Sequence, residues 1–330
     1  MILITGGTGY LGSHACVEFE KAGYKTLLLD NLSNSNKLVQ TRIKNILGYE
    51  IEVVEGDIRD ASILQSVFEN FPIESVLHFA GLKSVSESIT KPHDYYLNNF
   101  LGSINLLEVM NSFGCKKLIF SSSATVYGLP RVLPITENSP TFPLNPYGNS
   151  KLFTETYLRD LATSDDAWSI AILRYFNPVG AHSSGLLGEL PIKEPQNLFP
   201  LISEVAFGKR EKLLIYGSDY DTKDGTGVRD YIHINDLILG HLSAYRFLND
   251  NSGCEIFNLG TGNGISVLEI VRKFEEISGS RIKYELVDRR HGDVASCYND
   301  ISKARDLLGW KANLGLNDMC SDQWKWQQSQ

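Results

Sequence analysis

The sequence of 330 residues predicts an α/β protein: a doubly wound parallel sheet followed by a smaller C-terminal α/β lobe. Three observations carry that expectation. Up to residue 177, short apolar runs alternate with longer stretches of helical spacing, the pattern of parallel strands joined by crossover helices. The first apolar run feeds directly into a glycine-rich turn and a helix. After Asn177-Pro178 the rhythm breaks into a segment holding Gly180, Gly185, Gly188, Pro191, Pro195 and Pro200.

Taken in order, the apolar runs at 2–5, 26–30, 51–55, 75–79, 118–121 and 169–174 read as strands. Stretches 11–21, 62–70, 98–112 and 150–162 between them read as helices, each repeating apolar residues at three and four. Beyond the breakers, 213–216 and 282–286 read as strands, and 267–277 and 301–308 as helices. The expected division is 1–177 and 178–330, with stretches 231–235 and 256–259, inside 230–262, as candidates for return to the first sheet. No internal repeat or heptad pattern is present.

Composition excludes several classes. Apolar residues make up 42% and charged residues 21%, as expected of a globular chain with a sizeable core. Thirty-one Lys and Arg against thirty-nine Asp and Glu leave a net charge of −8, which argues against nucleic acid as a partner. No apolar stretch approaches the roughly 20 residues of a membrane helix, and the start has no signal-peptide pattern, so no membrane partner is expected. The five cysteines (Cys16, Cys115, Cys254, Cys297, Cys320) are scattered and odd in number, forming neither a disulfide ladder nor a metal pair. A reducing, cytoplasmic location is expected. The histidines lack ligand spacing, so no metal is expected.

The glycine turn reads Gly6-Gly7-Thr8-Gly9-Tyr10-Leu11-Gly12. A strand turning sharply into a helix presents free N–H groups to a pyrophosphate, and glycine both permits the turn and lets phosphates approach. Asp30 ends the second strand eighteen residues past Gly12. A carboxylate there accepts from ribose hydroxyls and repels a 2′-phosphate, which favours NAD over NADP. Asp57, after the third strand, is placed to meet the adenine edge. A second constellation is Tyr147-Gly148-Asn149-Ser150-Lys151, where helical spacing puts the phenol and ammonium on one face. A nearby cation stabilises phenolate and suits tyrosine to general-base work. Ser121-Ser122-Ser123 ends the fifth strand, where open parallel sheets hold their ligands.

These motifs, together with Phe79-Ala80-Gly81-Leu82-Lys83, Ser123-Ala124-Thr125-Val126-Tyr127-Gly128, Arg174-Tyr175-Phe176-Asn177, the run Asp224 to His233 and Arg289-Arg290-x-Gly292-Asp293, resemble the extended short-chain dehydrogenase/reductases. Within them the chain is similar to the UDP-glucose 4-epimerase family, from Met1 to about Trp326. The resemblance implies a Rossmann-type NAD-binding domain at 1–177, a nucleotide-sugar-binding domain at 178–330, and one NAD retained between turnovers. It places Gly6, Gly9, Tyr10, Leu11 and Gly12 at the pyrophosphate. Asp30, Asn31, Leu32, Ser33, Asn34 and Ser35 surround the adenosine ribose, and Asp57 and Ile58 the adenine. Phe79, Ala80, Gly81, Lys83, Asn98, Ser121 and Phe176 continue the cofactor wall.

For catalysis the resemblance implies that Tyr147 removes the proton of the sugar 4-hydroxyl while hydride passes to the nicotinamide. Ser123 shares the bond to that oxygen, and Lys151 holds the nicotinamide ribose. The 4-keto sugar then turns over and takes hydride on its other face, inverting the centre. Arg229 and Arg290 are the implied diphosphate partners, with Asn177 and Asn197 adding hydrogen bonds. Leu214 and Tyr216 border the uracil, and Asp293 binds the ribose or fixes Arg290. Where relatives carry a large tyrosine or a small residue, this chain has Cys297, which suggests acceptance of UDP-N-acetylglucosamine and UDP-N-acetylgalactosamine beside UDP-glucose and UDP-galactose. Family members are generally homodimers, and helices 98–112 and 150–162 are the candidate interface. The alternatives are a nucleotide-sugar 4,6-dehydratase, a net NAD-dependent dehydrogenase, and a non-catalytic NAD-binding regulator. Ala124 and Thr125 after Ser123 supply no Asp-Glu pair for the first, and the presence of Tyr147 and Lys151 disfavours the last.

Overall fold

Strand β1 (Ile2–Thr5) is buried at every residue, as are β2 (Thr26–Asp30) and β4 (Ser75–His78), which follows β3 (Val53–Glu55). Strands covered on both faces read as continuous apolar runs, which is why these segments stood out in the sequence. β5 (Lys117–Ser123) and β6 (Ser169–Tyr175) continue the series. The second half adds β7 (Asn177–Val179), β8 (Leu213–Tyr216), β9 (Val228–His233), β10 (Gly253–Leu259), β11 (Gly264–Ser266), β12 (Tyr284–Val287) and β13 (Ser296–Cys297). This computed structural model describes residues 1–330 apart from Pro191, Lys193 and His291, so one of the breakers named above lies outside the described residues.

The principal sheet is seven-stranded and wholly parallel, ordered β10-β6-β5-β4-β1-β2-β3. The chain runs outward from β1 in one direction to β3 and then restarts at β4 on the other side. The carboxyl ends of β1 and β4 therefore flank the switch point, where such sheets bind ligands.

Helices α1 (Tyr10–Lys21), α2 (Leu38–Leu47) and, from the second half, Ile234–Phe247 cover one face; the alternate residues Ile2, Ile4, Leu28, Leu77, Ile119 and Leu173 point to them. The opposite face, carrying Leu3, Leu27, Leu29, Val76, Leu118 and Ile170, packs under α3 (Ala61–Asn70) and three later elements. After α4 (Val85–Thr90) and α5 (Pro92–Tyr95), these are a π turn (Tyr96–Leu101), α6 (Gly102–Ser112) and α7 (Pro146–Ser164). Start signals explain several boundaries. Asp60 caps α3 through Ser62 N, and Asn145 caps α7 through Gly148 N at 2.9 Å, with Pro146 at its first position.

The remaining helices are α8 (Leu198–Phe207), α9 (Ile234–Phe247), α10 (Val267–Ser278), α11 (Ser302–Leu308) and α12 (Leu316–Gln328). α10 opens with a reciprocal Ser266–Glu269 capping box and ends on left-handed Gly279. Beside the principal sheet, β9 pairs with β7, β11 and β13, and β8 pairs with β12; α8, α10 and α12 close a separate apolar cluster with them. Among the described residues no helix is long and apolar enough to cross a membrane.

Several expected elements differ in detail. Of the two returning candidates, 256–259 lies within β10 of the principal sheet, whereas 231–235 belongs to β9 and the start of α9, because β9 pairs with β7, β11 and β13 instead. The helix expected at 98–112 begins as the π turn at Tyr96, and the strand expected at 118–121 runs on to Ser123. Strand 51–55 starts only at Val53.

Of five buried histidines among the described residues three are strongly shifted: burial pushes His14 and His78 down to about 3 and His241 to about 4. An unfolded histidine titrates near about 6.5, so each contributes stability that is fully present above about pH 6.5 and is lost as pH falls toward the folded values. Three extra protons on the unfolded chain predict a loss approaching about 4 kcal/mol per pH unit between about pH 6 and 5. Urea unfolding at a series of pH values across that range checks this; a flat profile is the contrary outcome.

Candidate active site

The glycine turn closes onto the end of β4. Gly6 has φ +66°, and a Cβ there would stand 2.8 Å from Ala80 N; one on Gly12 would stand 2.2 Å from Gly6 O. Neither position tolerates a side chain, so the turn stays tight. Gly9 caps α1 without any side-chain bond. The N–H groups of Tyr10, Leu11 and Gly12 therefore begin a helix whose positive end is uncapped by protein side chains, beside a small cavity lined by Thr8, Gly9, Tyr10, Ser13, Asn34 and Ser35. This tight turn with its uncapped helix end fits a dinucleotide pyrophosphate.

The adenosine-side residues sit around it. Asp30 Oδ2 accepts from Thr8 N at 3.0 Å, and Oδ1 accepts from Leu32 N at 2.9 Å and Ser35 Oγ at 3.1 Å. The carboxylate thus shapes the loop as well as facing the site, and three of its roughly four acceptor positions are used within the protein. Leu32 is the one non-glycine residue at positive φ among the described residues (56°), a strained geometry held by that Asp30 bond. Asn31 Nδ2 donates to Asp57 Oδ2 at 2.8 Å; Arg59, bonded to both Asp57 oxygens, holds that carboxyl well below the usual range. Ser33 and Asn34 are exposed, whereas the Ile58 side chain is buried against Gly102. Tyr10 sends its hydroxyl away from the turn, to Gly180 O at 2.7 Å.

The Phe79–Lys83 stretch leads from β4 to the second constellation. A Cβ on Gly81 would meet Asn99 Oδ1 at 3.2 Å and Lys151 Nζ at 3.5 Å, so glycine here brings the lysine up to the cofactor wall. Phe79 and Ala80 are partly buried, and Lys83 is ion-paired to Glu189. Asn98 lies on the π turn, a form that recurs at functional sites, and its neighbour Asn99 bonds Leu82 N, Leu82 O and Ser150 Oγ.

Tyr147, Lys151 and Glu155 stand one turn apart on α7, and the last two are fastened to consecutive residues of β5. Lys151 Nζ donates to Ser121 O at 2.7 Å and Ser122 Oγ donates to Glu155 Oε1 at 2.5 Å, while Ser123 Oγ donates to Thr125 Oγ1 at 2.9 Å. Burial pushes Lys151 down to about 8 while Glu155 pulls it back. Burial raises the Tyr147 phenol, with Ser123 lowering it again. The ammonium expected to acidify that phenol is engaged by a backbone carbonyl, so the protein groups alone leave the phenol above its ordinary value. Beneath them Arg174 grips Glu155 with Nε at 3.0 Å and Nη2 at 2.5 Å, and donates to Tyr127 Oη at 2.9 Å. Glu155 was missed in the sequence, although it continues the four-residue stripe of Tyr147 and Lys151.

The residues expected to hold substrate divide. Arg229 donates to the carbonyls of Val228 (2.9 Å) and Val294 (2.8 Å) and pairs with Asp293 at 3.5 Å. Asp293 therefore fixes Arg229, not Arg290, whose guanidinium lies over the Tyr216 ring at 3.9 Å. Leu214 is exposed two residues before Tyr216 on β8. Asn177 is exposed at the start of β7, and Asn197 heads α8 with its side chain turned to Glu189 Oε1 at 2.8 Å. Phe176 is buried in a cluster that Cys297 packs against, and burial holds the Cys297 thiol at about 11, hence neutral.

A family profile described as GDP-mannose 4,6 dehydratase matches residues 3–323. The chain is 52% identical to a UDP-glucose 4-epimerase of Bacillus subtilis (strain 168) over 99% of its length and 97% of that protein. Its fold superposes with a TM-score of 0.97 on a UDP-glucose-4-epimerase from Stenotrophomonas maltophila solved with bound NAD and formylated UDP-arabinopyranose, at 48% identity, covering 99% and 98% of the two chains. The enzyme from Bifidobacterium longum in complex with NAD+ and UDP gives 0.96, at 48% identity and the same coverage.

The ion pair beneath the site is testable in isolation. Arg174→Met leaves Glu155 buried without its partner and should cost about 3–5 kcal/mol, whereas Arg174→Met with Glu155→Leu should recover most of that. Chemical denaturation of both variants measures the difference; equal losses would show that the pair is not the source.

Proposed function

Because the chain belongs to the UDP-glucose 4-epimerase family, we propose that it interconverts UDP-galactose and UDP-glucose, using one NAD retained in the glycine-turn site. The observation that supports this most directly is Tyr147 with Lys151 one turn along α7, the lysine tied to Ser121 O at 2.7 Å on the strand that ends in Ser123, at the carboxyl ends of the parallel strands. When bound, NAD supplies a hydride acceptor for sugar C4 and a positive ring that favours phenolate.

Tyr147 takes the proton of the 4-hydroxyl and returns it to the same oxygen once the 4-keto sugar has presented its other face. Ser123, which lowers the raised pKa of the phenol, shares the hydrogen bond to that oxygen. Lys151 holds the nicotinamide ribose and keeps a cation beside Tyr147, its reach allowed by Gly81. The first 177 residues with β10 carry NAD, through the pyrophosphate cradle, the Asp30–Ser35 loop and the wall from Phe79 to Phe176. Residues 178–330 otherwise hold the nucleotide: Arg229, rigidly framed, takes the diphosphate, and Arg290 closes on it from above Tyr216. Asn177, Asn197, Leu214 and Asp293 complete the uridine diphosphate site.

A 4,6-dehydration would require a carboxylate pair beside Ser123, and the turn there (Ala124–Tyr127) carries none. We place the enzyme in the cytoplasm, in keeping with its five unpaired cysteines. Homodimerisation through the π turn, the α6 that continues it and α7 is supported by the surface where they meet: Tyr96 of the π turn stacks on Phe153 of α7 at 5.9 Å, and Phe153 and Leu101 remain exposed. A wider scope has its own support, since the small Cys297 packs against the cluster of Phe176, in register with Arg229 on β9.

Incubation of the purified protein with UDP-galactose, without added cofactor, should yield UDP-glucose on chromatography. Failure to form it, or net accumulation of NADH with free NAD, would overturn the reading. Tyr147→Phe should keep NAD and lose roughly 100- to 10,000-fold in turnover; retained activity would reassign the base. Cys297→Tyr should depress turnover of the N-acetylated substrates far more than that of the plain ones, and an equal loss of both would refute the wider scope.

A further inference from the structure

Between β7 and α8 the chain crosses the mouth of the glycine turn as a strap, 180–190, and three features of the C-terminal helix press it there. Lys325 Nζ donates to Ser183 O at 2.5 Å, Ser329 Oγ to Gly185 O at 2.7 Å, and Trp326 Nε1 to Glu189 O at 3.3 Å. A Cβ on Gly188 would come within 2.6 Å of the Trp326 ring, so the strap lies flat on the indole at this residue. On its inner side Gly188 and Leu190 line the same small cavity as Thr8, Gly9, Tyr10 and Ser35. The cover of the pyrophosphate cradle therefore comes from the second half of the chain, anchored by α12.

One side chain locks the cover to the floor. Glu189 Oε1 pairs with Lys83, at the end of the Phe79–Lys83 wall, and accepts from Asn197 Nδ2 at 2.8 Å. Asn197 stands at the N-cap of α8 yet makes no capping bond there, its amide being committed to Glu189. Beside this joint Ser84 Oγ donates to Gln196 Oε1 at 2.8 Å, a second tie between the same two segments.

We infer that Glu189 is the positioning residue that latches this strap over the dinucleotide and so retains NAD between turnovers. The inference rests on the reading above that NAD occupies the glycine turn. Release of the cofactor requires the strap to lift, and lifting it separates Lys83 from Glu189. Charge-assisted bonds of this kind set the expected effect at about ten- to a hundredfold in the rate of opening.

The test is exchange of bound cofactor in the intact holoenzyme. Wild type, Glu189→Gln, Glu189→Asp and Trp326→Phe are incubated with excess isotopically labelled NAD, and the cofactor released on denaturation is analysed by mass spectrometry, alongside melting temperatures. Glu189→Gln should exchange about ten- to a hundredfold faster than wild type with a similar melting temperature. Glu189→Asp, which keeps the charge, should recover much of the slow exchange. Trp326→Phe, which keeps the ring and loses the N–H donor, should also be faster than wild type, and it serves if Glu189→Gln folds poorly. Wild-type exchange rates in both Glu189→Gln and Trp326→Phe would overturn the latch. Wild type that releases no NAD on denaturation would instead refute the cofactor reading itself.

Discussion

The arrangement on which the site depends is the fastening of one helix to one strand at two successive serines. Ser121 offers its carbonyl to Lys151 and Ser122 its hydroxyl to Glu155, while Ser123 at the strand end turns its hydroxyl to Thr125 Oγ1. Lys151 and Glu155 lie one turn apart on α7, so two such contacts in a row fix its rotation and its position along the strand. Arg174 lies opposite Ser122 in the β5–β6 register and ties β6 into the same joint through Glu155. A phenol and an ammonium held this way keep their separation without flexible loops, which is what proton transfer at a fixed distance demands.

The tightness of the glycine turn follows from the same economy of space. Gly6 lies under Ala80, and Gly81 admits Lys151; between them β4 ends in His78, bonded to Thr5 at 2.7 Å and to Ser103 at 2.8 Å. This buried polar chain crosses the switch point from β1 to α6, joining the cradle for phosphate to the helices that flank the catalytic pair. A buried neutral histidine can serve there because each ring nitrogen has a partner, so no desolvated polar atom is left over.

The strands were legible because burial on both faces writes them as unbroken apolar runs, and the switch point followed from the glycine turn. Spacing puts Tyr147 and Lys151 on one helix face and Ser121-Ser122-Ser123 at one strand end, and the family resemblance singled out Tyr147, Lys151 and Ser123 among them. What spacing could not disclose is how each charge is satisfied. Asp30 reads as a free ribose acceptor, yet it bonds Thr8, Leu32 and Ser35; Asp293 and Arg290 are close in sequence, yet the carboxylate turns to Arg229 across β9. The phenol of Tyr147 is raised where its neighbour in sequence suggested the reverse, because burial acts on the folded environment and the ammonium is committed to a carbonyl.

The two arginines of the second half are held by opposite means, and the contrast suits the reaction. Arg229 is locked by two carbonyls and a carboxylate, so its guanidinium has little freedom. Arg290 is exposed and rests on the face of Tyr216, a contact that costs little to slide. On the function proposed above, a substrate whose sugar must turn while its nucleotide stays put needs a fixed point at the diphosphate and a second grip able to follow it, roles that these two arginines would fill. The rigid catalytic joint of the parallel sheet would be wasted on a wholly rigid substrate site, since the same C4 must approach from both of its faces. Confining the rigidity to β5, α7 and Arg229, and leaving the outer arginine loose, satisfies both demands with one chain.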